Sequence, residues 1–145
     1  MYEIIAKEIL NKDVDLMVIK APLVARNAKP GHFIILRVDE IGERIPLTIA
    51  EIDGENVSII YQKLGYSTNL LGTYNVGDSL SDFVGPLGKE AHIRDVKNVL
   101  GIAGGVGAAP LLPQLREYAR RGVKVTLVIG ARSKEHIILL DKYKE

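Results

Sequence analysis

A chain of 145 residues, 47% hydrophobic and 26% charged, has the make-up of a globular protein with length for one full core and a second small unit. Its formal net charge of +1 supplies no long-range field for polyanions, which argues against a nucleic-acid partner. No apolar run reaches the roughly 20 residues of a membrane span, and the absence of cysteine excludes a disulfide framework, a thiolate nucleophile or a Cys-ligated cluster within the chain. The start, Met1-Tyr2-Glu3-Ile4-Ile5, lacks the basic region and long apolar stretch of a secretory signal, so a cytoplasmic location is expected.

Up to about residue 96 the chain predicts short strands separated by turns. Tyr2 to Leu10 is rich in β-formers, and Val14, Leu16 and Val18 alternate with Asp15 and Met17. The break Pro30-Gly31 precedes a strand over His32 to Val38; strands over Arg44 to Ile52 and Val57 to Leu64 follow, divided by Asp53-Gly54. A short helix is expected between Ser67 and Tyr74, capped by Ser67 or Thr68, with Leu70 and Leu71 facing inward. A last strand runs from Val76-Gly77-Asp78 towards Gly85-Pro86-Leu87-Gly88. This spacing suggests an antiparallel barrel or sandwich.

From Val96 the rhythm changes. Val99 to Ala103 suits a parallel strand buried on both faces, and Val125 to Ala131 a second one. Between them a helix is expected from about Ala108 to Arg121, with Leu111, Leu112, Leu115 and Tyr118 at helical spacing and Gly122 as its stop. This is one β-α-β unit. Ile137 to Leu140 begins a third element, and with so few strands the parallel sheet is expected to be cut short, with an open edge and apolar face that invite association.

Gly104-Gly105-Val106-Gly107-Ala108-Ala109-Pro110 lies where the first parallel strand turns into the helix. Glycines let backbone amides approach a diphosphate, and the helix start adds free N–H groups and partial positive charge. Pro110 suits a first helical turn, where its missing N–H costs little. The bland alternative is tight packing of the helix against its strand. Other candidates are weaker. His32, His92 and His136 show no ligand spacing, Asp13 with Asp15 and Asp39 with Glu40 fit solvated charge, and Arg116, Arg120, Arg121 and Lys124 fit a solvated helix face. No catalytic or metal-ligating constellation is visible.

The loop resembles the Gly-Gly-x-Gly-x-Ala-Pro nucleotide loop of the ferredoxin–NADP reductase superfamily. Further segments agree in order: Pro30-Gly31-His32-Phe33 with a strand entry, Pro46-Leu47-Thr48 with the flavin-contacting strand, and Gly65-Tyr66-Ser67-Thr68 with the flavin-diphosphate loop. Gly85-Pro86-Leu87-Gly88 is similar to the crossover between domains, and Gly130-Ala131-Arg132-Ser133 to the edge after the second nucleotide strand. Within the superfamily the chain is most similar to electron-transfer subunits of the dihydroorotate dehydrogenase type. It is also similar to the small subunits of NADH-dependent ferredoxin–NADP oxidoreductases, known too as sulfide dehydrogenase subunits; Arg44 to Ala50 carries this likeness. It departs from the superfamily's Arg-x-Tyr-Ser/Thr pattern, with Ile45 and Leu47 where arginine and the aromatic stand.

The resemblance implies a six-stranded antiparallel Greek-key barrel binding FAD (residues 1–96), followed by the start of an α/β parallel-sheet NAD(P)-binding domain (97–145). It implies an NAD(P)H-dependent flavin oxidoreductase subunit that moves a hydride between NAD(P)H and FAD and passes electrons to a larger flavoprotein or iron–sulfur subunit or a ferredoxin. The cofactor-binding residues it implies are Pro46, Leu47, Thr48, Gly65, Ser67 and Thr68 for flavin, and Gly104, Gly105, Gly107, Ala109, Pro110 and Arg132 for the nucleotide. A [2Fe–2S] cluster is usual in such proteins, but this chain has no cysteine to hold one. A flavin-binding fragment or a non-catalytic assembly subunit is the alternative. After the second strand, Ala131-Arg132-Ser133-Lys134 gives mixed signals on NADH against NADPH.

Overall fold

Alternation of apolar and polar residues lays seven strands into one antiparallel sheet in the computed structural model, which describes residues 1–145. They are β1 (Tyr2–Ile9), β2 (Val14–Lys20), β3 (Phe33–Arg37), β4 (Arg44–Asp53), β5 (Asn56–Gln62), β6 (Ser79–Leu80) and β7 (Asp82–Leu87). Helix α1 (Pro22–Asn27) follows β2, and α2 (Tyr66–Thr73) follows β5. Spatially the order is β6-β1-β2-β5-β4-β3-β7. Only Ser81 separates β6 from β7, yet the two lie on opposite edges of the sheet, Leu80 opposite Tyr2 and Asp82 opposite Arg37. The sheet is thereby rolled nearly shut, with little strand edge left unpaired.

Two apolar clusters follow from this rolling. Inside the barrel lie Ile4, Met17, Ile19, Ile34, Leu36, Val57, Ile59, Tyr61 and Phe83, all at most 1% exposed. The outer faces of β2, β4 and β5 contribute Val14, Leu16, Ala50 and Ile60 to a second cluster. Its other side comes from the C-terminal part of the chain: Ala103, Ala108, Ala109, Leu112, Ile138 and Leu139. β2 is therefore covered on both faces, and the two parts of the molecule share one apolar seam.

That second part contains the β-α-β unit: β8 (Asn98–Gly104), α3 (Ala108–Arg120) and β9 (Lys124–Gly130), with β8 and β9 parallel and in register from Asn98 opposite Lys124 to Gly104 opposite Gly130. A single 3₁₀ turn, Gly105–Gly107, joins β8 to α3, and Gly122 stops the helix at φ +81°. The last element is a short helix, α4 (Leu140–Lys144). Burial on both faces is not what β8 and β9 show. Leu100, Ile102 and Val128 are 59%, 72% and 51% exposed, because α3 and the barrel cover only the opposite face. No helix is long and apolar enough to cross a membrane.

The seam is tied by charge. Glu51 on β4 accepts from Arg116 of α3 at 2.7 Å and from Lys142 of α4 at 2.8 Å. So Arg116, expected on a solvated face, bridges to the barrel instead. Burial pushes the Glu51 carboxyl up, but its bonds to Lys142 and Arg116 outweigh that and hold it below its ordinary 4.5. A carboxylate depressed in the folded state adds stability above its unfolded value, and that stability is lost as pH falls through the folded one. Urea midpoints are therefore expected to drop as pH is lowered from about 4.5, and Glu51→Gln should flatten part of that drop. Superimposable acid profiles for the two proteins would show that the pair contributes nothing.

Candidate functional site

Strand β8 delivers its last residue, Gly104, to the carboxyl end of the parallel sheet, where open α/β sheets bind their ligands. The glycines there divide into two kinds. A Cβ on Gly101 would lie 2.5 Å from Leu115 Cδ1 and 3.2 Å from Leu111 Cδ2, so this glycine serves helix–strand packing. A Cβ on Gly104, Gly105 or Gly107 would meet nothing within 4 Å. Internal packing does not require these three, and they leave backbone open. Gly105 also has φ +52°, which an L side chain adopts only with strain.

The open loop lines a cleft of about 440 Å³ between the two parts of the molecule. Gly104, Gly105 and Val106 form one wall, Gly130, Ala131 and Arg132 another, and Asn11, Val14 and Gln62 of the barrel the third. His136 and Ile138 complete the lining. Gly107 is the residue before α3, Ala109 is buried in the apolar seam and Pro110 lies in the first helical turn, so none of these three lines the cleft. Arg132 does, and its guanidinium is engaged: Nη2 donates to Asp13 Oδ2 at 2.8 Å, and Nε donates to His136 Nε2 at 3.0 Å.

On the barrel, Leu47 pairs with Ile34 and packs with Ile45 against the interior. Alternation then turns Arg44, Pro46 and Thr48 outward, beside Phe33 and Ile35 of β3 and the exposed Val84 of β7. Of the three residues on this strand, Pro46 and Thr48 share the outer face, and Leu47 faces the core. Arg44 is on the outer face too, paired with Asp82 at 2.6 Å. Glu43, just before β4, accepts from the buried Ser67 hydroxyl at 3.4 Å, which sets the start of α2 next to the start of β4.

Helix α2 begins one residue before the expected caps. Gly65 precedes the helix, and Thr68 Oγ1 accepts from the Leu64 and Gly65 amides at 3.0 and 3.1 Å. Thr68 and Ser67 thus spend their hydroxyls inside the chain. The helix start still presents its first-turn backbone N–H groups, and a Cβ on Gly65 would meet nothing within 4 Å. Gly65 lies three residues beyond Gln62, a cleft residue, so the barrel strand that lines the cleft also leads into this helix.

Two readings of acidic and basic residues change. Asp15, expected as solvated charge, is 1% exposed and receives hydrogen bonds from Lys63 Nζ at 2.9 Å and Tyr61 Oη at 3.3 Å, with Lys7 Nζ at 3.9 Å. Burial, then the Asp15 charge, pushes the Tyr61 hydroxyl's pKa well above its ordinary value. His136 lines the cleft with Arg132, and its ring nitrogens lie 2.7 Å from Ser133 Oγ and 3.4 Å from Asp13 Oδ2. No three His, Cys, Asp or Glu side chains converge as a metal site.

No family model matches the chain. It is 44% identical over 151 residues to an uncharacterized protein in the adh 3′ region of Clostridium beijerinckii, covering 98% of this chain and 51% of that protein. It is 39% identical over 145 residues to a dihydroorotate dehydrogenase B (NAD(+)) electron transfer subunit homolog of Thermotoga maritima, covering 99% and 51%. Among solved structures it matches the NADH-dependent reduced ferredoxin-NADP oxidoreductase, studied for flavin-based electron bifurcation, with a TM-score of 0.94 and 36% identity, over 99% of this chain and 52% of that one. The chain spans about half the length of the curated relatives it matches.

Proposed function

Since this chain is a homologue of dihydroorotate dehydrogenase B electron transfer subunits with a ferredoxin reductase-like fold, we propose that it binds FAD on its barrel and NAD(P)H in its cleft, as part of an electron-transfer subunit that serves a larger partner. Residues 1–96 are assigned to the flavin unit and 97–145 to the nucleotide unit. We read β6 and β7, separate strands of the seven-stranded sheet, as one bent strand, which would make the barrel six-stranded with the Greek-key order that the resemblance implies.

The observation that carries this reading is the division of the glycines. Gly101 is explained by Leu115 and Leu111 and Gly105 in part by its φ of +52°, but no packing contact accounts for Gly104, and Gly104 and Gly105 face a cleft at the carboxyl ends of parallel strands. Backbone at Gly104 and Gly105 would hold the dinucleotide's phosphates, with the start of α3 adding N–H groups. On the barrel, Pro46, Thr48 and Phe33 offer an outer surface for the flavin ring, and the amides at the start of α2 suit its diphosphate. When bound, the two cofactors supply hydride transfer and the onward one-electron steps, so the protein's part is to orient them and exclude water.

The test is a visible spectrum of the purified chain after FAD is offered and the excess removed. Retained flavin bands that bleach on anaerobic addition of NADH or NADPH are expected. A folded chain that stays colourless defeats the flavin assignment; flavin that neither nicotinamide bleaches or perturbs defeats the nucleotide assignment.

A further inference from the structure

We propose that Tyr143 of α4 is a positioning residue for the glycine loop, its hydroxyl fixing, through Ala108, the backbone assigned above to the nucleotide's phosphates. This rests on the nucleotide reading and adds to it a residue outside the cleft on which that binding depends.

The start of α3 is a weak helix by its own sequence. Pro110 brings no N–H to the first turn, and Pro113 brings none to the second, so the Ala109 carbonyl lacks its donor four residues on. Side chains make up part of the loss. Gln114 Nε2 donates to the Pro110 carbonyl at 3.3 Å, and Tyr143 Oη donates to the Ala108 carbonyl at 2.6 Å. The second of these bonds leads to the cleft. Ala108 is fully buried, and its own N–H donates back to the carbonyls of Gly105 and Val106, both of which line the cleft. Tyr143 thus reaches the loop through a single residue.

Tyr143 is itself held from elsewhere. Arg116 Nη2 donates to the Lys142 carbonyl at 3.4 Å and to Glu145 Oε2 at 3.0 Å, while Lys142 Nζ reaches Glu51 of the barrel at 2.8 Å. The place of its hydroxyl is therefore set by the middle of α3 and by the barrel, not by the loop. Burial, against the Arg116 charge, pushes that hydroxyl up to about 12, so it stays a donor through the neutral range. A phenylalanine would pack in the same apolar seam, and only the hydroxyl makes the tie to Ala108.

Tyr143→Phe tests this in the full chain, by equilibrium titration with NAD+, NADP+ and FAD and by amide hydrogen exchange of the free protein. The variant should bind whichever dinucleotide wild type binds about fivefold more weakly, the worth of one neutral hydrogen bond, with its FAD affinity unchanged. Exchange of the Ala108 amide should speed up by a similar factor, while amides of the barrel interior such as Ile59 keep their wild-type rates. A merely structural hydroxyl would leave dinucleotide affinity where it was. That result overturns the inference, as does an equal loss of FAD affinity, or a loss of dinucleotide affinity with no change at the Ala108 amide. A folded wild type that binds neither dinucleotide overturns the nucleotide reading and the inference with it.

Discussion

Gly104→Ala is expected to weaken NAD(P)+ binding by roughly 10- to 100-fold, the worth of one charge-assisted hydrogen bond of about 1.5–3 kcal/mol, while leaving the melting temperature unchanged or slightly raised. The backbone at Gly104, φ −116° and ψ 119°, is ordinary extended chain that alanine adopts freely, and the new methyl group meets no protein atom. It projects from the open loop, where it would hold a phosphate away from the amides. Gly101→Ala should behave in the opposite way. Its methyl would sit 2.5 Å from Leu115 Cδ1, against a helix whose Leu115 is 4% exposed, so stability should fall by about 1–3 kcal/mol as for overpacked cores. Melting curves and NAD+ titrations on both variants separate the roles. If Gly104→Ala binds as wild type does, the open loop is not the phosphate site.

Asp15→Ala is expected to cost about 2–3 kcal/mol, somewhat under the 3–5 of a fully buried pair because its lysine partners still reach water. Lys63 and Lys7 are 21% and 14% exposed in their side chains, against 1% for Asp15. Lys7 Nζ also donates to the carbonyls of Gly72 and Tyr74, at 2.5 and 2.9 Å, where α2 ends. Removing the carboxylate therefore leaves two ammonium groups facing each other beneath that helix, and it should loosen FAD as well as lower the urea midpoint. Asp15→Asn, which keeps an acceptor for Lys63 and Tyr61, should recover part of both. A wild-type urea midpoint in Asp15→Ala would mean that the lysines swing to water at no cost.

What local pattern can carry was legible. Asp53-Gly54 marks the β4–β5 turn, where Gly54 has φ +59°, and leucine spacing marks α3 to within one residue. Helix α1 passed unseen because it is six residues long, opens on Pro22 and has no side-chain cap. The burial of Asp15 was hidden for a different reason. Its strand is covered on both sides, by the barrel interior and by α3 with its neighbours, and an alternating pattern signals only one covered side. At the candidate site the glycine loop stood out as a run of adjacent residues. The Asp13, Arg132 and His136 cluster did not, since 119 and 123 residues separate its members and only the docking of the two parts joins them. The bare face at Leu100, Ile102 and Val128 was foreseen as an apolar surface but not in the strands' own burial, which pattern alone assigned to both sides.

The placement of β6 and β7 on opposite edges of one sheet bears on how the chain reaches its fold as it is synthesised. Tyr2 and Glu3 leave the ribosome more than seventy residues before their partners Leu80 and Ser79. Until then β1 has only β2 beside it, and β3 waits equally for Asp82 to Leu87. Closure is thus a late event of high sequence separation, the kind that slows folding and leaves strand edges open to neighbouring chains in the meantime. Both edges are sealed by the same nine residues, Ser79 to Leu87, so a ribosome stalled before them would hold an open sheet, and one stalled after them a finished barrel.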